Sequence, residues 1–303
     1  MPNNILILGG SGFLSGTTAR LAVEAGNIVW TVTRGQRPSI EGTRNLVVDR
    51  KDRAAFAGMI HSAEQNWDLV IDCIGYEVDD ARQDVQLFRD RAKQLVFVST
   101  DFVYNPQQRN FPQSEEGVGY LVDVAPESYG GKKRLCEQYL AESDCGGMAW
   151  TIVRPGHIYG PGSLLGCLPP HGRDANLIER LKAGEAIPLV GAGHFLQQPI
   201  FAPDLAQLLL SVVGNEQCAG QLYCTAGPEV IESHTYYQIV ADLLGVSLQI
   251  EEIPVEAYLA ANPDKASFIC HRFYDLTKLQ ASGLAMPSTT MAEGLRLHVE
   301  SLL

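Results

Sequence analysis

Short unbroken apolar runs separated by longer stretches of helical periodicity organise the first half of the chain. Ile5-Leu6-Ile7-Leu8 is the first run, and its continuous hydrophobicity is that of a strand covered on both faces. The same pattern predicts strands at 28–33, 46–48, 68–74 and 94–99, with helices at 13–25, 52–62 and 79–93 between them. A helix is expected at 129–142, followed by strands at 149–153 and 221–225. Alternation of this kind predicts an α/β fold with a parallel, doubly wound sheet and helices on both faces.

The patterning weakens after residue 154. Residues 154–173, RPGHIYGPGSLLGCLPPHGR, are rich in glycine and proline and read as one long functional loop. Residues 254–264 and the tail after Ala266 are irregular, with room for short helices. A chain of 303 residues exceeds the usual single-domain size. The expected division is a sheet domain at 1–154 and 203–227, and a smaller mixed lobe at 155–202 and 228–303. That lobe would cover the C-terminal edge of the sheet, where open α/β folds bind ligands.

Between the first strand and the first helix lies Gly9-Gly10-Ser11-Gly12. A Cβ in such a turn would block close approach of a pyrophosphate, and the helix that follows offers free N–H groups to its charge. A buried strand before the turn and a second strand after the helix supply the context of a Rossmann dinucleotide site. Gly9, Gly12, Phe13, Leu14 and Ser15 are its expected phosphate-side residues, with Ser15 at a position where a third glycine is usual. The second strand ends in Thr33-Arg34-Gly35, with no acid to hold ribose hydroxyls and with Arg37 close behind. A guanidinium there suits a 2′-phosphate, so NADP is favoured over NAD as cofactor. Asp49, in VVDRKD, is placed either to accept from the adenine amino group or to cap the helix that follows. Cys73-Ile74-Gly75 ends the fourth strand, so Cys73 and Gly75 are expected beside the ribose and nicotinamide.

Composition narrows the partners. Lys and Arg number 23 against 35 Asp and Glu, a net charge of −12, which disfavours non-specific nucleic-acid binding. The start, MPNNILILGG, has no basic region leading into a long apolar segment, and no run approaches a membrane span, so a cytoplasmic protein without membrane contact is expected. Seven scattered cysteines without a CxxC read as reduced core thiols rather than disulfides or a zinc site. His157, His171 and His194 have no metal-ligand spacing either, so no metal is expected.

Ser99-Thr100 follows the fifth strand, and Tyr129 and Lys133 lie four apart on the predicted helix, hence on one face. A phenol titrates near pH 10. An ammonium beside it would lower that value and let Tyr129 exchange protons while Thr100 donates to the same substrate oxygen. Thr100, Tyr129 and Lys133 are therefore the expected catalytic set.

These residues, with GGSGFLS at 9–15, STDFVY at 99–104, YGGKK at 129–133, RPGHIYGPG at 154–162, APDLA at 202–206 and YCTAGPEVI at 223–231, resemble an extended short-chain dehydrogenase/reductase of the NAD-dependent epimerase/dehydratase type. The resemblance covers nearly the whole chain. It implies catalytic roles for Thr100, Tyr129 and Lys133, and places Pro155 and Gly156 beside the nicotinamide. It also implies a homodimer through helices flanking the sheet.

The chain departs from that pattern at several points. Asp101 is followed by Phe102 where dehydratases carry an Asp-Glu pair, and His157 stands where an asparagine is common. Nucleotide-sugar binders often place an arginine before the DLA helix, but Phe195-Leu196-Gln197-Gln198-Pro199 is neutral. Arg272 is the candidate to replace that charge. Asp101, His157, Gln198 and Arg272 are thus the candidate substrate residues. TRG, RLKAGEAIPLVGAG at 180–193 and FYDLTKLQASG resemble an atypical branch that includes chloroplast stem-loop RNA-binding proteins, whose tyrosine–lysine pair is often lost. Two functions remain open at this level. One is an NAD(P)-dependent oxidoreductase or epimerase acting on a hydroxyl or keto group of a small-molecule substrate such as a sugar or nucleotide sugar. The other is a non-catalytic NADP- or RNA-binding protein.

Overall fold

Ile5 and Ile7 pack into the apolar cluster on one side of a central sheet, while Leu6 and Leu8 pack into the cluster on the other. This accounts for the unbroken hydrophobicity of the run, since successive strand side chains face opposite ways and here both faces are covered. The computed structural model describes residues 1–63, 65–116, 119–169 and 172–303. His171 lies outside the described residues.

The first half alternates as the sequence predicts: β1 (Asn4–Leu8), α1 (Phe13–Glu24), β2 (Ile28–Thr33), β3 (Arg44–Val47), α2 (Arg53–Ser62), β4 (Trp67–Asp72), α3 (Val78–Phe88), β5 (Ala92–Val98), α4 (Tyr129–Glu142) and β6 (Ala149–Pro155). Then follow β7 (Ile158–Tyr159), α5 (Leu177–Lys182), β8 (Ile187–Val190), β9 (Leu196–Gln197), β10 (Ile200–Phe201), α6 (Ala202–Leu210) and β11 (Gln221–Thr225). The last stretch holds β12 (Ile231–Glu232), α7 (Ser233–Leu244), β13 (Ile250–Ile253), α8 (Val255–Ala261), α9 (Thr277–Gln280) and α10 (Met291–Glu300). The main sheet has seven strands in the order β11-β6-β5-β4-β1-β2-β3, and all of its pairs are parallel. It is a doubly wound Rossmann sheet.

Two of the boundaries that differ from the sequence pattern have local reasons. The helix expected to run to 93 ends at Phe88, because Arg91 donates back to Phe88 and its carbonyl accepts from Trp67, which starts the β4–β5 ladder. The strand expected to reach 74 ends at Asp72, whose carboxylate accepts from the Ile74 N–H at 2.8 Å and turns the chain. That turn begins the floor of the site.

The small lobe has its own core, where Leu177, Leu181, Leu189, Tyr236, Val240 and Leu295 are buried together. Leu279 and Leu284 instead pack into the sheet's own cluster beside Leu205 and Leu209 of α6, so the C-terminal segment ties the lobe to the sheet. Among the described residues no helix is long and apolar enough to cross a membrane.

Candidate active site

The carboxyl ends of β1, β4, β5 and β6 open onto one cavity of about 420 Å³. Its wall contains Gly9 and Gly12 from the glycine turn, Phe13, Leu14 and Ser15 from the start of α1, Cys73 after β4, Thr100 and Asp101 after β5, Tyr129 and Lys133 from α4, Pro155 at the end of β6, and Gly156 and His157 after it. The Ser15 hydroxyl accepts from the Gly12 N–H at 3.0 Å and donates to the Gly9 carbonyl. The departure from a third glycine thus adds a staple across the turn. A serine is small enough to keep α1 close to β1, and its hydroxyl satisfies backbone groups that a glycine would leave open.

Tyr129 is brought to Thr100 by its neighbour. A Cβ on Gly130 would sit 1.9 Å from the Phe102 carbonyl oxygen, so only glycine lets α4 close onto the turn after β5. Ser128 caps the helix by accepting from the Gly131 N–H at 3.1 Å. At the cavity mouth Tyr129 is 49% exposed, with the rings of Tyr76 and Phe102 each 6.4 Å from its own. Its phenol is pushed up to about 12 by burial and by Tyr76, against a hydrogen bond from Thr100 that lowers it.

Lys133 corrects the expected mechanism of pKa lowering. Its ammonium is buried and donates to the carbonyls of Gly75 at 2.7 Å and Val98 at 2.6 Å, between the rings of Phe97 and Tyr76. Helical spacing does put Lys133 one turn from Tyr129, but the strand-end carbonyls take up its donors. The phenol accordingly lies above its ordinary value rather than below it. Burial pulls the Lys133 pKa down, and Asp72 opposes that. Gly75 likewise stands behind the cavity wall instead of in it. Its carbonyl holds Lys133, and a Cβ there would meet Asp72 Oδ2 at 2.2 Å and Phe97 at 2.7 Å.

Under this floor lies a buried ionic cluster without any motif to announce it. Arg50 donates to Asp72 at 2.9 Å and to Asp84 at 2.7 Å. Burial raises the Asp84 carboxyl, with Asp72 adding to the rise against Arg50. Asp72 itself stays below the usual range because Arg50, a hydrogen bond from Asp84 and Lys133 outweigh its burial.

A second cavity, of about 450 Å³, adjoins the first through Gly9, Gly12, Ile74 and Tyr76. Arg34, Arg37 and Lys51 line it, and Arg37 reaches the Ser11 carbonyl at 3.4 Å. Asp49 lines it too and accepts from the Lys51 N–H at 2.9 Å. The cap of α2 is Asp52, which accepts from Ala55, so the capping alternative for Asp49 is ruled out.

Three substrate candidates are engaged elsewhere. Asp101 reaches the cavity wall, but its carboxylate is paired with Arg109 and Arg272, each at 2.9 Å. Those arginines overcome its burial and hold it below the usual carboxylate range. Arg272 also donates to the carbonyls of Ser267 and Phe268 and lies over the Phe102 ring, buried and away from the cavity. Gln198 donates to the Gly227 carbonyl and accepts from the Tyr274 N–H, each at 2.8 Å, and lies outside the wall. These side chains hold loops of the lobe together, and their distance along the chain hid that. His157 does line the cavity, nearly buried. Tyr76, Leu168 and Arg173 also line it and escaped notice, because each sits in a turn or loop without periodicity. Among the described residues no group of three His, Cys, Asp or Glu is arranged to hold a metal.

Fold and cavity together define a Rossmann-type α/β protein with its site at the carboxyl edge of the sheet. The chain belongs to the NAD dependent epimerase/dehydratase family, whose model matches residues 5–223. The chloroplast stem-loop binding protein of 41 kDa b from Arabidopsis thaliana is 29% identical over 242 residues, which cover 75% of this chain and 59% of the plant protein's length. A UDP-N-acetylglucosamine 4-epimerase from Methanobrevibacter ruminantium superposes with a TM-score of 0.79 at 17% identity, over 99% of this chain and 98% of its own. The UDP-glucose 4-epimerase of Thermus thermophilus, in complex with NAD, superposes with a TM-score of 0.73 at 18% identity, again over 99% and 98%. At such identities the superpositions speak for the fold alone.

Proposed function

We propose that the protein is an NAD(P)-dependent oxidoreductase or epimerase acting on a hydroxyl or keto group of a sugar or nucleotide-sugar-like substrate. The observation that carries this reading is the meeting of Thr100, Tyr129 and Lys133 with the glycine turn in one cavity wall. A dinucleotide fits the residues present. The two cavities join at the glycine turn, as a ligand with two nucleoside halves requires, and among the described residues the charged side chains facing the inner one are Lys133, Asp101 and Arg173. Arg34, Arg37 and Lys51 at the outer end favour a 2′-phosphate, hence NADP over NAD. The related Thermus thermophilus enzyme is described in complex with NAD, so the preference is this chain's own feature to test.

Bound there, the nicotinamide would supply or accept the hydride. The chain's own residues handle the proton. Tyr129, neutral at working pH, donates from its phenol to a keto oxygen, and Thr100 steadies the same oxygen with its hydroxyl. Lys133, one helical turn on, holds the Gly75 and Val98 carbonyls and so fixes the cavity floor beneath the phenol. Tyr129→Phe should lower turnover of a sugar nucleotide about a hundredfold or more while leaving dinucleotide affinity unchanged. Unchanged turnover would remove the mechanism.

The sequence similarity to a stem-loop binding protein supports a second reading, a protein that binds RNA. Gel shifts with a stem-loop RNA across a salt series discriminate the two, since phosphate contacts weaken steeply with salt.

A further inference from the structure

Phe102 stands beside the two groups that handle the proton, and it is held from several sides. Its N–H donates to the Thr100 hydroxyl oxygen at 3.2 Å, which leaves that hydroxyl's own proton for a substrate oxygen. Its carbonyl lies under α4, where a Cβ on Gly130 would come within 1.9 Å of the oxygen. Its ring meets the Tyr129 ring edge-on at 6.4 Å and the Phe268 ring edge-on at 5.0 Å. The buried Arg272 guanidinium lies over the same ring, 4.6 Å from its centre, and is itself fixed by Asp101 and by the carbonyls of Ser267 and Phe268. Phe102 is nonetheless only half-buried, and it lines the inner cavity together with Thr100 and Tyr129.

These contacts fix what a substrate meets next to the atom that Thr100 and Tyr129 address. An aromatic ring offers apolar area and no hydrogen-bond donor. The C–H face of a sugar suits it, whereas an ionised group laid there would give up water and gain no partner. Arg272 and Asp101 do not relieve that cost. The Arg272 fork is committed to Asp101 and to backbone carbonyls, and Asp101, in the same wall, repels a second carboxylate. We infer that Phe102 is the specificity-determining residue of this cavity, admitting a neutral sugar through its C–H face and rejecting the corresponding uronic acid. This rests on the sugar reading above and narrows its substrate class.

Calorimetry on the full chain with NADPH bound tests this, with UDP-glucose and UDP-glucuronic acid as probes and UDP as the control without a sugar. The two sugars differ only in carrying a hydroxymethyl or a carboxylate group. The wild type should bind UDP-glucose about tenfold or more tightly than UDP-glucuronic acid. Phe102→Ala should weaken UDP-glucose about tenfold and leave UDP unchanged. It should also bring the two sugar nucleotides to within about threefold of each other, because water reaches the space the ring leaves. Phe102→Leu, apolar and without a side-chain donor, should keep the discrimination. Equal affinities for the two sugars in the wild type or in Phe102→Leu overturn the inference, and so does a Phe102→Ala protein with the wild-type ratio. Each of these results leaves the sugar reading standing. A wild type that binds NADPH but none of the three uridine nucleotides overturns the sugar reading, and the inference with it. Thermal unfolding of both variants checks that the turn after β5 has kept its fold.

Discussion

Lys133 donates a 2.7 Å hydrogen bond to the carbonyl of Gly75, a residue 58 positions earlier in the chain. Through it α4 is locked to the turn after β4, and the ammonium becomes part of the cavity floor.

Replacing that ammonium tests the lock. Lys133→Met would leave two buried carbonyls unpaired and take from Asp72 one of the charges that hold it ionised. A loss of about 2–4 kcal/mol is expected in urea unfolding, because uncompensated buried polar groups carry their full desolvation cost. A variant as stable as the parent would mean that the floor has other support.

The phenol of Tyr129 should titrate at about 12 in the ligand-free protein. Its carbon resonance next to the hydroxyl, followed from pH 8 upward, reports this directly. Thr100→Ala should move the midpoint higher, since it removes the hydrogen bond that favours the phenolate. Saturation with a dinucleotide should move it lower, because the oxidised nicotinamide brings positive charge.

Glu137 ties pH to stability. It accepts from Arg154 at 2.6 and 2.9 Å and from Ser99 at 2.5 Å, all buried, and Arg154 with these hydrogen bonds overcomes burial to hold its pKa down. A depressed folded-state pKa contributes stability that is complete above the unfolded value of about 4.3 and is lost as pH falls through the folded one. Glu137→Gln should therefore flatten the acid limb of the stability–pH curve, besides costing about 3–5 kcal/mol at neutral pH for the unpaired Arg154. Denaturant midpoints between pH 3 and 7 measure both effects.

Ser15→Ala removes the staple across the glycine turn. About 1 kcal/mol of stability should be lost in chemical denaturation, the net worth of an ordinary hydrogen bond. Ser15→Gly should lose about 1–2 kcal/mol, since glycine adds a helix penalty of roughly 0.5–1 kcal/mol.

Arg34→Ala combined with Arg37→Ala should weaken NADPH about tenfold or more and leave NADH nearly unchanged, if the outer cavity holds a 2′-phosphate. Equal losses for both cofactors would assign these arginines to the shared part of the molecule.

Much of this site could be read before the fold was known, and what could be read is local. The strand at Ile28–Thr33, the helix at Tyr129–Glu142 and the strand at Gln221–Thr225 lie where periodicity puts them. The glycine turn and the Tyr129–Lys133 spacing are local patterns as well, written within a few residues. Asp101 and Arg272 show the limit. Each carries a charge suited to a substrate, yet 171 positions apart they find each other at 2.9 Å. Gln198 is similarly taken by Gly227 and by the backbone of Tyr274.

The sequence alone determined the alternation of strands and helices through β6, the placing of a glycine turn between β1 and α1 and the face shared by Tyr129 and Lys133. These follow from repeats of two and 3.6 residues that bury one side of an element. Tertiary structure alone decided where each charge ends: Lys133 on carbonyls of two strand ends, Arg272 on Asp101, and Arg173 on the Ile158 carbonyl over Phe13. Those partners arrive on loops without periodicity, and only the packed chain sets which donor meets which acceptor once water is excluded.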